Sequence, residues 1–410
     1  MEPAKSKLYC PHVCRSSFIP VLATEQRRLY APIPAADGEL QHMIYLVCVG
    51  MFGDKDRRKY GDIEDWNVSE VEDFSKAFEG YRTFNRDLSN WDVSRAKTMA
   101  YMFASTDAFT CNLSRWDTGQ VENMSFMFRK ARAFNGALGT WNVARVQTFD
   151  HMFDGAQSFN QPLDDWVTAS ATGMAYMFSD ATVFNQPLRF LRMGRVTTIR
   201  GMFAGTKAFD QDLDDWDVGQ VRDMHGVFFA ATAFNGDLSR WNTAKVRDMS
   251  SMFTRAEAFN RDIGGWDVGQ VGNMCYMFFG ASVFNRPLEA WDTSSVMYMV
   301  EMFANTEAFD QPLEGWDMRR VISTSRMFYQ ARGFNQPLAD WRLDAAVIMT
   351  DMFVGATAFR QSLHGWRHRR STRREVMFDA DFPPVLYPIE PGLVNLFDVD
   401  GSCVDVCNSC

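Results

Sequence analysis

The chain has 410 residues, a formal net charge of −9, and 46% hydrophobic against 23% charged residues. The negative balance argues against general nucleic-acid binding, because that affinity comes from neutralising phosphates with Lys and Arg. Length alone suggests two or three domains; the repeat described below predicts instead one elongated domain that grows by addition of like units.

In chain order, residues 1–40 mix Pro, Arg and small residues and predict an irregular lead-in. Cys10-Pro11, Arg15 and Pro20 interrupt every apolar run there, so no signal-peptide core is visible, which points to a cytoplasmic protein. Met43 to Phe52 is apolar but about half the length needed to span a bilayer, and predicts a buried first strand or cap rather than a transmembrane segment. It belongs to a degenerate first coil, 41–65, in which Ile63 occupies the Leu position three before Trp66. From Trp66 onward the tryptophans fall at 66, 91, 116, 141, 166, 216, 241, 266, 291, 316, 341 and 366, which are all 12 in the protein. They define one lattice of 25 residues, and the vacant point holds Leu191.

Numbered from each Trp, the repeat has Asp or Asn at +1, Val or Thr at +2, and mostly Val at +5. Met is usual at +8, Met-Phe at +11 and +12, and a small residue at +15. Phe follows at +18, usually Asn at +19, and Leu at +22. Trp and +2 alternate with polar neighbours, as in a short strand. The apolar spacing of three or four from +5 to +15 predicts one or two turns of amphipathic helix. Pro162, Pro187, Pro287, Pro312 and Pro337 mark the connector that follows. The expectation is a right-handed α/β solenoid like the leucine-rich-repeat scheme. It has about twelve strand–turn–short-helix coils over 66–380 with one parallel sheet, and a C-terminal cap or tail over 381–410. No coil can bury its own Trp, Met and Phe, so these columns, including Trp91, Trp266, Phe284, Asn285 and Leu288, are read as a structural ladder between stacked coils.

The order of these positions resembles that of the BspA-like leucine-rich-repeat surface proteins. Their mycoplasma-type repeat has the signature M-F-x-x-A-x-x-F-N-x-x-L-x-x-W-D-V-S-x-V-x-x-M. Met127-Phe128 to Trp141 and Met252-Phe253 to Met274 match it almost position by position. The resemblance covers roughly residues 63–380. It implies a non-enzymatic module of adhesion or partner binding, displayed at a cell surface or secreted, whose partner is a protein or a surface glycan. An intracellular interaction scaffold with no adhesion role is the alternative.

Candidate chemistry is sparse. The Asp column (Asp92, Asp117, Asp217, Asp267, Asp292, Asp317) suits capping of local turns, with calcium bridging as the sharper alternative. The Asn column at +19 suits a buried amide ladder onto neighbouring backbone. Arg189, Arg192, Arg195 and Arg200 cluster where Leu191 replaces Trp. Together with Arg367, Arg369 and Arg370 near the last coil, they are the candidate contacts to an acidic partner. The 8 cysteines lie mostly outside the repeats, at 10, 14, 48, 403, 407 and 410, which suits either stapled caps or free thiols. No metalloprotease, nucleophile-elbow or phosphate-loop motif occurs, so no catalytic residue, metal site or cofactor is assigned.

Overall fold

The computed structural model describes residues 30–36, 38–189, 191–345, 348–363 and 366–368, the last two through their backbone only. The candidates Arg369 and Arg370, the tail over 381–410 and five of the eight cysteines lie outside the described residues. Two compact units meet in sequence between Asp217 and Val218.

The first unit begins with a helical cap. Helix α1 spans Glu39–Cys48 and α2 spans Asp54–Tyr60, followed by a 3-10 turn at Ile63–Asp65. The apolar stretch expected as a first strand or cap is thus a cap that is largely helical. Its apolar residues follow a helical period: Leu40, Met43 and Ile44 are buried, while Tyr45 and Met51 are exposed. Among the described residues, no helix is long and apolar enough to cross a membrane. The cap is tied to the first coil by Ile33 N–H, which donates to Asn67 O at 2.8 Å, and by Gln41 Nε2, which donates to Ser75 O at 3.0 Å.

The expected strand–turn–helix coil is replaced by overlapping turns. In the coil that begins at Trp266, the N–H groups of Met274, Tyr276, Phe278 and Gly280 donate to the carbonyls of Tyr298, Val300, Met302 and Ala304 at 2.8–2.9 Å. The N–H groups between them close turns three residues back: Met277 to Met274, Phe279 to Tyr276 and Ala281 to Phe278. Phe74, Lys76, Phe78 and Gly80 repeat the pattern in the first unit. Alternate amides therefore bond along the stack, and the rest bond within the coil. An α-helix is excluded because +10 and +14 have left-handed backbone. At +10, Tyr101, Phe126, His151, Tyr176, Tyr276 and Arg326 have φ of 54–59°. Such angles are uncommon for residues with a side chain, and here each of these residues also donates its N–H to the next coil. Successive turns closed three residues back bring every third or fourth residue to one side, which is the spacing that imitates a helix.

The strand is likewise reduced. Parallel bridges of one residue run along position +7: Asp73, Thr98, Asn123, Thr148, Gly173 and Thr198 in the first unit, and Asp223, Asp248, Asn273, Tyr298, Ser323 and Ile348 in the second. Two-residue strands at the expected +1 and +2 positions occur at β1 (Arg342–Leu343) and β2 (Arg367–His368), which pair in parallel. In most other coils the residue at +1 instead forms a local turn, described below.

The core follows the sequence columns. Phe78, Phe103, Phe128, Phe153 and Phe178 stack at 5.3–5.8 Å between ring centres. Phe259, Phe284, Phe309 and Phe334 stack at 5.9–6.1 Å. The Trp66 indole donates to Gly61 O at 3.3 Å, whereas indoles of later coils reach back 28 residues to a Leu or Ile carbonyl: Trp91 to Ile63 at 2.8 Å, Trp141 to Leu113 at 3.0 Å and Trp316 to Leu288 at 2.9 Å. A buried ring thereby keeps its polar N–H satisfied. The Asn column forms the expected ladder, although half-buried rather than buried. Asn160 Oδ1 accepts from Asn185 N–H at 3.0 Å, and Asn285 Oδ1 accepts from Asp310 N–H at 3.1 Å. Gln186 and Gln311 donate to the same oxygens.

Candidate interaction surface

Because the interior columns are consumed by packing, any recognition has to use the exposed positions between them. The first such row is +1. The side-chain oxygens of Asp92, Asp117, Asp267 and Asp292 each accept the N–H two residues on, at 3.0–3.1 Å. This is the Asx turn expected from the sequence. It turns each carboxylate onto its own coil, and the hydroxyl and amide of Ser294 hold the Asp292 carboxyl below the usual carboxylate range. The Arg319 guanidinium does the same for Asp317.

Positions +4 and +6 lie beside this row and pair from coil to coil. In the first unit Arg95 engages Glu70 and Glu72, and Lys97 Nζ lies 2.5 Å from Glu72 Oε2. Arg145 donates to Gln120. Such exposed, solvent-screened pairs stabilise little, but they neutralise neighbouring charges along this edge.

The four arginines of the irregular coil do not form one cluster. Arg189, Arg192 and Arg195 are exposed. Arg192 occupies +1, where it cannot form the Asx turn; its own N–H donates to the Thr168 hydroxyl at 2.7 Å. Arg195 lines a shallow depression with Arg145, Glu122, Gln147, Ser170 and Thr172. Arg200 lies at +9 and donates from Nε to the Tyr176 hydroxyl at 3.1 Å. Arg367 is seen only through its backbone, in β2. Leu191 itself is buried, at 4% exposure, in the Trp column. Leu191→Trp is expected to keep the fold and to add about 1 kcal/mol from ring packing, with its indole N–H directed to the Leu163 carbonyl. Urea unfolding measures this, and a loss of stability would mean that the coil is repacked around leucine.

Sequence reasoning missed a second row, at +10. Tyr101, Phe126, His151 and Tyr176 are half-buried and stack at 4.3, 4.5 and 4.7 Å. Lys76 lies over the Tyr101 ring and Arg129 over Phe126. Asp154 Oδ2 lies 3.0 Å from His151 Nδ1 and 3.1 Å from Arg129 Nε. The row ends at Gly201, where a Cβ would lie 2.3 Å from the Tyr176 ring. The signal was present as aromatic residues recurring every 25 positions. Against a helical reading of this segment it looked like scattered surface residues. Cys111 and Cys275 are buried within the coils; Cys111 Sγ lies 3.4 Å from Asp87 Oδ1.

These features define a tandem-repeat solenoid protein whose coils are fastened by backbone, tryptophan and amide ladders. The chain belongs to the family described as "Mycoplasma protein of unknown function, DUF285", which matches it over residues 47–149, 112–192, 188–289 and 261–366. No curated protein matches the sequence. Five chains of solved structures match the structure. Among them is a leucine-rich repeat protein from Bacteroides ovatus, 10% identical, with a TM-score of 0.44 over 73% of this chain and 77% of that one.

Proposed function

We propose that the protein is a non-enzymatic interaction scaffold of the BspA-like, surface adhesion type, with right-handed coils as in leucine-rich-repeat solenoids. It binds a protein or glycan partner along the exposed edge formed by positions +1, +4 and +6. The observation that carries this reading is the division of labour in the repeat. The apolar, Trp and Asn columns are spent on the stack, whereas the +1, +4 and +6 side chains are largely exposed, and those at +4 and +6 vary from coil to coil. Shallow contacts over many coils make affinity a sum of small terms with a few hot spots, a role in which exposed arginines are enriched. Arg189, Arg192 and Arg195 are the contacts proposed in the first unit, and Arg200, which lies apart from them against Tyr176, is proposed as a separate contact. Arg367, Arg369 and Arg370 are proposed by their place in the sequence.

Crosslinking mass spectrometry on native cells tests the reading. Recovery of one extracellular or surface partner, reduced about tenfold by the pair Arg192→Ala and Arg195→Ala, is the expected result. Undiminished recovery would move the contact elsewhere on the coils, and an exclusively cytosolic partner would overturn the adhesion role.

A further inference from the structure

The row at +6 changes character in the second unit. In the first unit it alternates in sign, Glu72 with Lys97, and the two are paired. In the second unit, Arg222 and Arg247 occupy adjacent rungs: Arg247 N–H donates to Arg222 O at 2.9 Å, so two like charges leave the backbone one rung apart. Lys245, at +4, joins them, and the three line a depression with Ala244 and Gln270. All three cations are exposed. None of them forms an ion pair among the described residues. Lys245 Nζ donates only to an amide oxygen, that of Gln220, at 2.7 Å. The nearest carboxylates in sequence are already engaged: Asp248 Oδ1 accepts from Ser250 N–H and Oγ–H, and Asp223 Oδ1 accepts from His225 N–H. The next residue of the row is Gly272, which carries no charge, and the side chain beside it is that of Met297, whose Cε would lie 3.7 Å from a Cβ at Gly272.

Like charges directly opposite each other on neighbouring strands destabilise the pairing. A protein of net charge −9 with acidic residues at many exposed positions had ready means to neutralise this patch, as it did at Glu72. Two guanidinium forks and an ammonium around one depression present several charge-assisted donors and no acceptor beyond the backbone and amide oxygens. That is the complement of a doubly charged tetrahedral oxyanion.

We infer that Arg222, Lys245 and Arg247, assisted by the Gln270 amide, form a binding site for a sulfate or phosphate group, free or as an ester. The site does not depend on the partner surface proposed above, since inorganic anions alone test it.

The full chain is melted at low ionic strength while sodium sulfate or sodium phosphate is titrated against sodium chloride of equal ionic strength. The variant Arg222→Gln/Arg247→Gln is melted in parallel, with circular dichroism to verify its fold. Both anions stabilise proteins generally through exclusion from the surface, so the informative quantity is the saturable rise present in the natural chain and lost in the variant. The expected result is such a rise, with the apparent dissociation constant at least about tenfold weaker in the variant. In the absence of anion the variant melts no lower than the natural chain, because a like-charge contact has been removed. A rise with sulfate alone identifies a sulfate-bearing ligand, and a rise with phosphate alone identifies a phosphate-bearing one; either supports the site, as does a rise with both. Equal responses of the natural chain and the variant, or no saturable response, overturn it. If the double variant fails to fold, Lys245→Gln carries the same comparison.

Discussion

Trp266→Ala is expected to destabilise the second unit by about 3–5 kcal/mol, the range for removing a large buried aromatic ring. Trp266 is 3% exposed, stacks on Trp241 at 6.0 Å between ring centres and lies 6.3 Å from the Phe253 ring. Its indole N–H donates to Leu238 O at 3.1 Å. Truncation therefore opens a cavity shared by two coils and removes a hydrogen bond to a third stretch of chain. Because each coil buries its apolar side chains mainly against its neighbours, the loss is expected to spread. Hydrogen exchange should accelerate at Met252–Ala256 and Met277–Ala281 as well as at position 266, and acceleration confined to 266 would contradict the shared core. Trp266→Phe separates the two contributions. It retains most of the apolar area, and Leu238 O still accepts Trp241 N–H at 3.1 Å, so its cost is expected to be about 1 kcal/mol.

The second large effect concerns register. Excision of residues 242–266 joins Trp241 to Asp267 and leaves every interior column continuous. In a stack where stability is the sum of coils and their interfaces, the shortened chain is expected to fold, with a modestly lower melting temperature. Excision of 242–253 removes only the first half of the same stretch but joins Trp241 to Thr254. Phe259 then falls at +6, an exposed row, and the following amides no longer meet their carbonyls across the coil. That variant is expected to lose cooperative unfolding by circular dichroism and calorimetry. If the two excisions behave alike, the 25-residue coil is not the unit of folding.

Much of this molecule was legible in its residues. The Trp lattice defined the coil length, and the columns at +5, +8, +12, +18 and +22 named the core. Asp at +1 and Asn at +19 foretold an Asx turn and an amide ladder. Repetition made these readings firm, because a residue type that recurs at one position in many coils has the same neighbours in each. The helix of each coil was misread for a definite reason. Overlapping turns closed three residues back and an α-helix share an apolar spacing of three to four, and nothing local tells them apart. The difference lies in the amides of Tyr276, Phe278 and Gly280, whose acceptors are 24 residues further on.

The four arginines around Leu191 show the same limit. Adjacent in sequence, they are separated by the turns between +1, +4 and +9, so Arg195 joins Arg145 while Arg200 joins Tyr176. Tyr101, Phe126, His151 and Tyr176 are 25 residues apart in sequence and in contact in the fold. By itself, then, the sequence determined the period, the interior and the tandem-repeat class, because burial of apolar side chains depends on pattern alone. Only the tertiary structure decided which backbone groups pair and which surface side chains meet, because hydrogen bonds and charges act over a few ångströms between residues that the chain keeps a whole coil apart.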